Sequence, residues 1–571
     1  MFNLYRIKEI INNKKIFFDL KIIFFLNFIN SIFELFSILS LPIFISLLID
    51  QNYLIEKYNI KIFFYFNNYE PITIMSIFVI LIFLVKNIFF IFLIYKQSHF
   101  INKIKVKISE KIFSIYLLGS YLNHLSKNPS TITRNITHSI QSFGFYIVHL
   151  INLFREIVAI IFLILLLFIF KPFIILISLP FFLLIFFIFQ KSFKNLLRKK
   201  ANENENINQL FIKNVYNTFL SIKDIKLLKK EADIVEMFKS DVVKFENNLR
   251  FFQVTEKIPK SILEILTIFF LLVISIVLFK VSINQVEFFT IVSLFLVVSI
   301  RLLPSFTSTM TSINFLKIFE PGVITLYSEN KRSPKASISY NKDFRKFYTP
   351  KSIPEKLIIV DGVKFNYDKN NYLLKNVNLE IVAGKMNCII GETGSGKSTI
   401  FNLMLGLLEP KRGNIYYKNK NILLDILNWH REISLVSQDP YLFEDSIINN
   451  ITFNILEDQV DEKRLTKAIE ISELNSTIAK LDKGLKTKIS AQSINLSGGE
   501  KQRIALARAI YKESSVLFLD EFTNAIDDNT EKKILQNLKQ LKNKTFIIIS
   551  HKKDTINQCE KIFKLHDGKI L

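Results

Sequence analysis

Cysteine is nearly absent from this chain: Cys388 and Cys559 are the only two in 571 residues. That excludes a disulfide framework and a cysteine-ligated zinc site, and both read as reduced, buried, small apolar residues. Low hydropathy is absent too. Half the residues are hydrophobic, 57 of them Phe, and the mean hydropathy is +0.29. A disordered or fibrous chain is thereby excluded, and an all-soluble one is disfavoured. The start, Met1–Lys15, has no small-residue cleavage site after its first apolar run and does not read as a signal peptide. Its Leu4, Ile7, Ile10 and Ile11 fall at helical spacing, which predicts a helix lying on a membrane surface. At 571 residues, several domains are expected.

The formal charge of +24 invites a nucleic-acid reading, but its distribution removes it. Residues 355–571 hold 32 Lys and Arg against 28 Asp and Glu, whereas residues 1–354 hold 42 against 22. The excess lies with the apolar runs, as in the loops of membrane proteins. AT-rich codons for Lys, Ile, Asn and Phe add a contribution of no functional meaning. Runs long enough to cross a bilayer, about 20 residues, occur near 22–49, 72–95, 144–170, 172–190, 260–280 and 285–305. Six spans are expected, the third and fourth joined by a tight turn at Lys171. Segments 1–21, 96–143 and 191–259 carry 26 Lys and Arg, and the alternating segments carry 4. This bias predicts a multi-pass protein with a cytoplasmic N-terminus. The two long loops read as largely helical over Ile101–Leu118 and Asn202–Lys239, and Asn52–Tyr69 as either an amphipathic segment on the outer face or a plain loop.

Charges inside the spans are few: Glu34, Lys86, Arg155, Glu156, Glu264 and Arg301. Intramembrane charge costs a few kcal/mol unless it is paired or faces water. Arg301 and Lys86 are the substrate candidates. Against them stand snorkelling at a span end for Arg301 and a structural ion pair for Arg155 or Glu156.

Residues 328–354 are polar, basic and proline-bearing, and read as a linker. Short β-branched strands then alternate with helical segments, as in an α/β domain. Met386–Ile390 reads as a buried strand running into Gly391-Glu392-Thr393-Gly394-Ser395-Gly396-Lys397-Ser398-Thr399. This is a P-loop pattern in its strand–loop–helix setting, with backbone amides to wrap phosphates, Lys397 for the β and γ phosphates and Ser398 for Mg²⁺. A second strand, Val516–Leu519, ends in Asp520, placed to order Mg²⁺, and Glu521, placed to take a proton from water. Seen alone, that strand could end in an ordinary acidic turn. Leu496-Ser497-Gly498-Gly499-Glu500 opens a further helix and makes a second anion site with no nucleotide of its own. One P-loop and one orphan phosphate site suggest that two chains sandwich ATP.

These residues resemble the ATP-binding cassette (ABC) transporters, whose signature motif is the 496–500 run. The resemblance implies a six-helix transmembrane domain (1–327), a linker (328–354) and an α/β P-loop nucleotide-binding domain (355–571). It implies ATP and Mg²⁺ as cofactors and a second copy of the chain as partner. It also implies roles for Tyr367 (stacking on adenine), Gln438 (touching Mg²⁺) and His551 (bonding the γ-phosphate). Taken singly, Gln438 and His551 would be solvated loop residues and Tyr367 a strand-edge core tyrosine. The D-loop reads Asn524-Ala525-Ile526-Asp527 rather than Ser-Ala-Leu-Asp. Ser490-Ala491-Gln492-Ser493 lacks the acid that exporters usually carry at their coupling contact.

Six spans before one cassette resemble an exporter-type half-transporter. Phe33-Glu34 through Ile45, Arg134–Thr137, Ile222–Leu228, Ser299–Ser305 and Leu427-Asn428-Trp429 are most similar to the lipid-linked-oligosaccharide flippases of the PglK type. That implies a polyprenyl-pyrophosphate-linked glycan moved across the inner membrane, with the cassette in the cytoplasm. Alternatives are a lipid or lipid A flippase, a multidrug or peptide exporter, and a non-transport cassette ATPase acting on nucleic acid. Six spans oppose the last. With no domain ahead of span one, a peptide exporter bearing a cysteine peptidase is not expected.

Overall fold

The computed structural model describes residues 4–49, 71–170, 172–280, 285–331, 356–367, 372–453, 459–489 and 496–571, with backbone only at 4, 71, 170, 172–179, 181, 182, 185, 274, 278, 279, 285–287, 290, 295 and 356. The chain separates into two compact units. One comprises Met1–Gly119 with Asn123–Ser337, the other Ser120–Leu122 with Ile338–Leu571. The expected amphipathic segment 52–69, the turn at Lys171, residues 332–354 of the linker and the stretch 490–493 lie outside the described residues.

The first unit is helical: α1 (Leu4–Ile11), α2 (Lys14–Ile49), α3 (Pro71–Leu117), α4 (Ile140–Phe170), α5 (Pro172–Leu220), α6 (Glu231–Lys280) and α7 (Gln285–Lys331), with short helical pieces between. All six expected spans fall inside α2 to α7. Among the described residues, five helices are long and apolar enough to cross a membrane. The fourth expected span occupies the first part of α5, where side chains are largely outside the described set. At 1.5 Å per residue the 47 residues of α3 reach about 70 Å, over twice a hydrocarbon core. The expected loop helices are thus continuations of the spans. The 202–239 segment breaks at Ser221 and at Lys229, whose φ is +51°.

α1 departs from expectation. Its aliphatic stripe does not lie on a membrane surface: Ile7 (2% exposed) and Ile10 (1%) pack with Ile104, Ile108, Ile112 and Leu326 of the same unit. The Ile10 carbonyl accepts from Lys111 Nζ at 2.7 Å, and the Glu9 carbonyl from Asn330 Nδ2 at 3.2 Å. An amphipathic pattern fixes which face is buried, not what buries it.

α2 carries buried polar residues at helical spacing, namely Asn27, Asn30, Ser31, Glu34, Ser37 and Ser40. The serines turn inward without cost because each hydroxyl bonds a carbonyl of the preceding turn, such as Ser31 to Asn27 at 3.1 Å and Ser37 to Glu34 at 2.7 Å.

The second unit has two sheets. β1 (Lys356–Phe365), β2 (Leu374–Val382), β4 (Arg412–Tyr417) and β5 (Lys420–Asn421) form an antiparallel sheet in the order β2-β1-β4-β5. β3 (Met386–Gly391), β6 (Ile433–Val436), β7 (Val516–Asp520), β8 (Thr545–Ile549), β9 (Lys561–His566) and β10 (Lys569–Ile570) form the other, in the order β10-β9-β3-β8-β7-β6. Its pairs are parallel except β9–β10. Parallel strands are covered on both faces, which is why β7 and β8 read as nearly unbroken apolar runs. β3, β7 and β8 are neighbours, so their C-terminal ends share one edge. There the sequence places Gly391, Asp520, Glu521 and His551.

Candidate nucleotide site

β3 ends in the loop that starts helix α8 (Lys397–Met404). Two of its glycines are obligatory for different reasons. Gly396, the residue before α8, sits at φ +103°, which side chains with a Cβ rarely adopt. A Cβ on Gly391 would stand 2.3 Å from the Leu565 carbonyl oxygen. Lys397 is folded into the loop, its Nζ donating to the Gly391 and Glu392 carbonyls at 2.7 and 2.8 Å. Ser395 has a buried hydroxyl without a partner among the described residues. Ser398 is exposed and Thr399 is buried. The Thr399 hydroxyl lies 3.3 Å from the hydroxyl of Tyr367, whose ring meets Phe365 edge-on and is otherwise half exposed. An open aromatic face thus stands beside the phosphate loop.

At the end of β7, burial, then the neighbouring Glu521 charge, hold the Asp520 carboxyl above the usual aspartate range, while Lys397 opposes them. Glu521 follows at φ +45°, a left-handed conformation that is strained for a residue with a Cβ. Its amide is pinned to the Ile549 carbonyl at 2.9 Å. The carboxylate gathers the other candidates: Oε2 accepts from Gln438 Nε2 at 2.8 Å and from Asn524 Nδ2 at 2.6 Å, and Oε1 lies 3.5 Å from His551 Nε2. Gln438, Glu521 and His551 therefore converge on one point.

Ser497 caps helix α9 (Gly498–Tyr511) in a reciprocal capping box, with Glu500 N donating to its Oγ at 3.3 Å and Ser497 N donating to Glu500 Oε2 at 2.8 Å. Gly498 and Gly499 press on the D-loop: a Cβ at 499 would lie 2.6 Å from the Ala525 carbonyl oxygen.

Two residues escaped the sequence reading. Gln502, buried on α9, donates to the Gln438 carbonyl at 3.0 Å and accepts from the Ala525 amide at 3.2 Å, tying three motifs together. Lys552, next to His551, bonds the Thr523 carbonyl at 2.8 Å and Glu531 at 2.6 Å. A polar residue inside an apolar helical stripe was the available signal for Gln502, while Lys552 gave none. Asn524, a departure from the usual D-loop sequence, is here a hydrogen-bond donor to Glu521.

In the helical unit the intramembrane charges pair. Arg301 grips Glu34 side-on, through Nε to Oε1 and through Nη2 to Oε2 at 2.9 Å. Its Nη2 is 3.6 Å from Glu156 Oε2, and Glu156 Oε1 accepts from Arg155 at 2.9 and 3.1 Å. Two cations and two carboxylates make this quartet neutral. Lys86 has its Nζ 5.4 Å from the Phe83 ring centroid, and no carboxylate among the described residues pairs with it.

A strand-borne P-loop, two acids at the end of the next strand but one and a capped glycine turn define an ATP-binding cassette behind a transmembrane helical domain. Residues 20–302 match the ABC transporter transmembrane region and residues 374–524 the ABC transporter family, and the chain belongs to the exporter-type half-transporters of the ABC family. It is similar to the mitochondrial iron-sulfur clusters transporter ATM1 of Kluyveromyces lactis, at 36% identity over 39% of this chain and 31% of that protein. Against the ATP-dependent lipid A-core flippase of Photorhabdus laumondii the identity is 39% over 35% and 34% of the two chains. The chain thus spans about a third of the length of these relatives. A solved structure of a bacterial Atm1-family ABC exporter with ATP bound has the same fold, with a TM-score of 0.78 at 17% identity over 97% of this chain and 94% of that one.

Proposed function

We propose that this chain is an ATP-driven half-transporter that works as a pair of identical chains. Its substrate is a lipid-linked oligosaccharide or a related amphipathic lipid, which it translocates across the inner membrane with the cassette in the cytoplasm. The observation that carries the hydrolytic part is the convergence of Gln438, Asn524 and His551 on Glu521 beside the P-loop. Glu521 is held where its free lone pairs can accept a proton from water, and His551 orients it from the other side. Lys397 leaves the loop carbonyls for phosphate oxygens. The amides of Gly394, Ser395, Gly396, Lys397, Ser398 and Thr399 and the α8 N-terminus hold the phosphates, and Tyr367 stacks on the base. The Ser395 hydroxyl, without a partner among the described residues, and the Cβ-free Gly391 wall fit a phosphate chain. Mg²⁺, held by Ser398, Gln438 and Asp520, would neutralise phosphate charge. Ser497, Gly498 and Gly499 serve the nucleotide of the second chain.

The amphipathic-lipid assignment is supported by the PglK-like runs around Glu34 and Arg301 and by the similarity to a lipid A-core flippase. That similarity makes lipid A the second reading. Arg301 and Lys86 are the proposed substrate contacts, and at Arg301 an anion must compete with Glu34. Mass spectrometry of the lipid that copurifies with the protein tests the assignment. A polyprenyl-pyrophosphate glycan supports it, and a lipid A species replaces it by the second reading. Pairing is tested by coexpressing Ser497→Arg and Lys397→Ala chains, which should restore one active site in mixed dimers. No activity above either parent would oppose a shared site.

A further inference from the structure

The helical unit has a second charge cluster, about 24 Å along α7 from Arg301 at 1.5 Å per residue. Lys317 Nζ donates to Gln190 Oε1 at 2.6 Å across α5 and α7. A second cation, Lys194, stands one turn beyond Gln190 and acts on Lys317 through space. The Arg301 quartet is neutral, whereas this place is net positive: beyond Lys317 and Lys194, the next turns of α5 and α7 add a pair that cancels itself, Arg198 Nε 3.9 Å from Glu320 Oε2. Two amides beside it have idle atoms. Among the described residues, Gln190 Nε2 is buried without a partner, and so are both amide atoms of Asn314, which is 4% exposed and one turn before Lys317 on the same face. Uncompensated positive charge with idle N–H donors is the complement of a polyanion.

The position also selects the kind of anion. Gln190 closes the fourth apolar run and Lys194 lies in the basic segment that Lys191 opens after it, so the cluster stands at the edge of the hydrocarbon. Phe187 and Ile188, immediately ahead, are 65% and 56% exposed. A ligand with its phosphate at Lys317 can leave an apolar chain along that surface. We infer that Lys317, Lys194, Gln190 and Asn314 form a binding site for the phosphate or pyrophosphate head group of an amphiphile entering from the lipid. This rests on the amphipathic-lipid reading above. It assigns first capture of the head group to these residues rather than to the neutral Arg301 quartet.

The test is binding to the full-length protein in phosphatidylcholine nanodiscs, with undecaprenyl pyrophosphate, lipid A, phosphatidylglycerol and inorganic pyrophosphate as separate probes. Lys317→Gln should weaken the phosphate amphiphile that the wild type binds by roughly 10-fold, and adding Lys194→Gln should weaken it further. Lys317→Arg should retain most of the binding, and unchanged melting midpoints show that the fold is kept. Lysine-dependent binding of lipid A but not of undecaprenyl pyrophosphate keeps the site and sinks the oligosaccharide-lipid reading. Lysine-independent binding of the amphiphile, equal losses for phosphatidylglycerol, equal affinity for inorganic pyrophosphate, or no amphiphile binding at all overturns the site.

Discussion

Replacing Glu521 by Gln removes the proposed base and little else. Oε2 accepts from two amide donors, Gln438 Nε2 and Asn524 Nδ2. A glutamine can place its carbonyl oxygen there and keep both bonds. Its new NH₂ then faces His551 Nε2, 3.5 Å from the present Oε1, and a neutral histidine can accept it in the appropriate tautomer. The side chain is thus accommodated, and the variant should bind ATP as the parent does. What it cannot do is take a proton. Positioned general-base catalysis contributes about 10²–10⁴-fold, a barrier change of roughly 2.7–5.5 kcal/mol. The assay is paired: equilibrium nucleotide binding and steady-state phosphate release on the same reconstituted sample. Retained binding with hydrolysis lowered by that factor is expected. Hydrolysis near the parental rate with intact binding would refute the assignment of the base, whatever the geometry around it.

Lys397→Ala should act on the other quantity, weakening nucleotide binding itself, as a titration with labelled ATP would show. Asp520 is held above the ordinary aspartate value of 3.8 by burial and by Glu521. Mg²⁺-dependent nucleotide affinity should therefore begin to fall at a higher pH than an unshifted aspartate would give, and Asp520→Asn should remove that part of the pH profile. The sign for folding is opposite to that of a salt-bridged acid: the unfolded chain releases this proton first, so stability is lost as pH rises from the unfolded to the folded value. Gln502→Ala leaves the Gln438 carbonyl and the Ala525 amide without their partner, costing about 1–3 kcal/mol, read as a lower melting midpoint together with slower hydrolysis. Arg301→Gln strands Glu34 and should destabilise the helical unit by about 3–5 kcal/mol. The Glu34→Gln/Arg301→Gln pair should recover much of that loss, and strict additivity in chemical denaturation would show that the two do not interact.

What was legible in the sequence is what is local. The P-loop, the β7 acids and the Ser497 turn are contiguous motifs whose backbone conformation follows from a few residues. The six long apolar stretches likewise announce helices by composition alone. Contacts between distant positions were not legible. Glu34 and Arg301 were visible as separate charges, but they stand 267 positions apart and nothing along the chain pairs them. Gln502 looks like any polar residue on a helix until α9 is laid against the D-loop. The stripe in α1 was read as a membrane-surface face because periodicity records burial without naming the partner, and its partner proved to be α3 and α7. Asn524 looked like a departure from a motif, and its meaning came only with the carboxylate it touches.

The measurement that bears most directly on the account is leaflet transfer in proteoliposomes. A polyprenyl-pyrophosphate-linked oligosaccharide is placed in the bilayer, and its exposure to a glycan-modifying reagent is followed over time. ATP added on the cassette side should speed its movement with the wild-type chain and leave the rate at the protein-free background with Glu521→Gln. Equal rates for the two chains, or ATP hydrolysis by the wild type with no movement of this lipid, would contradict it.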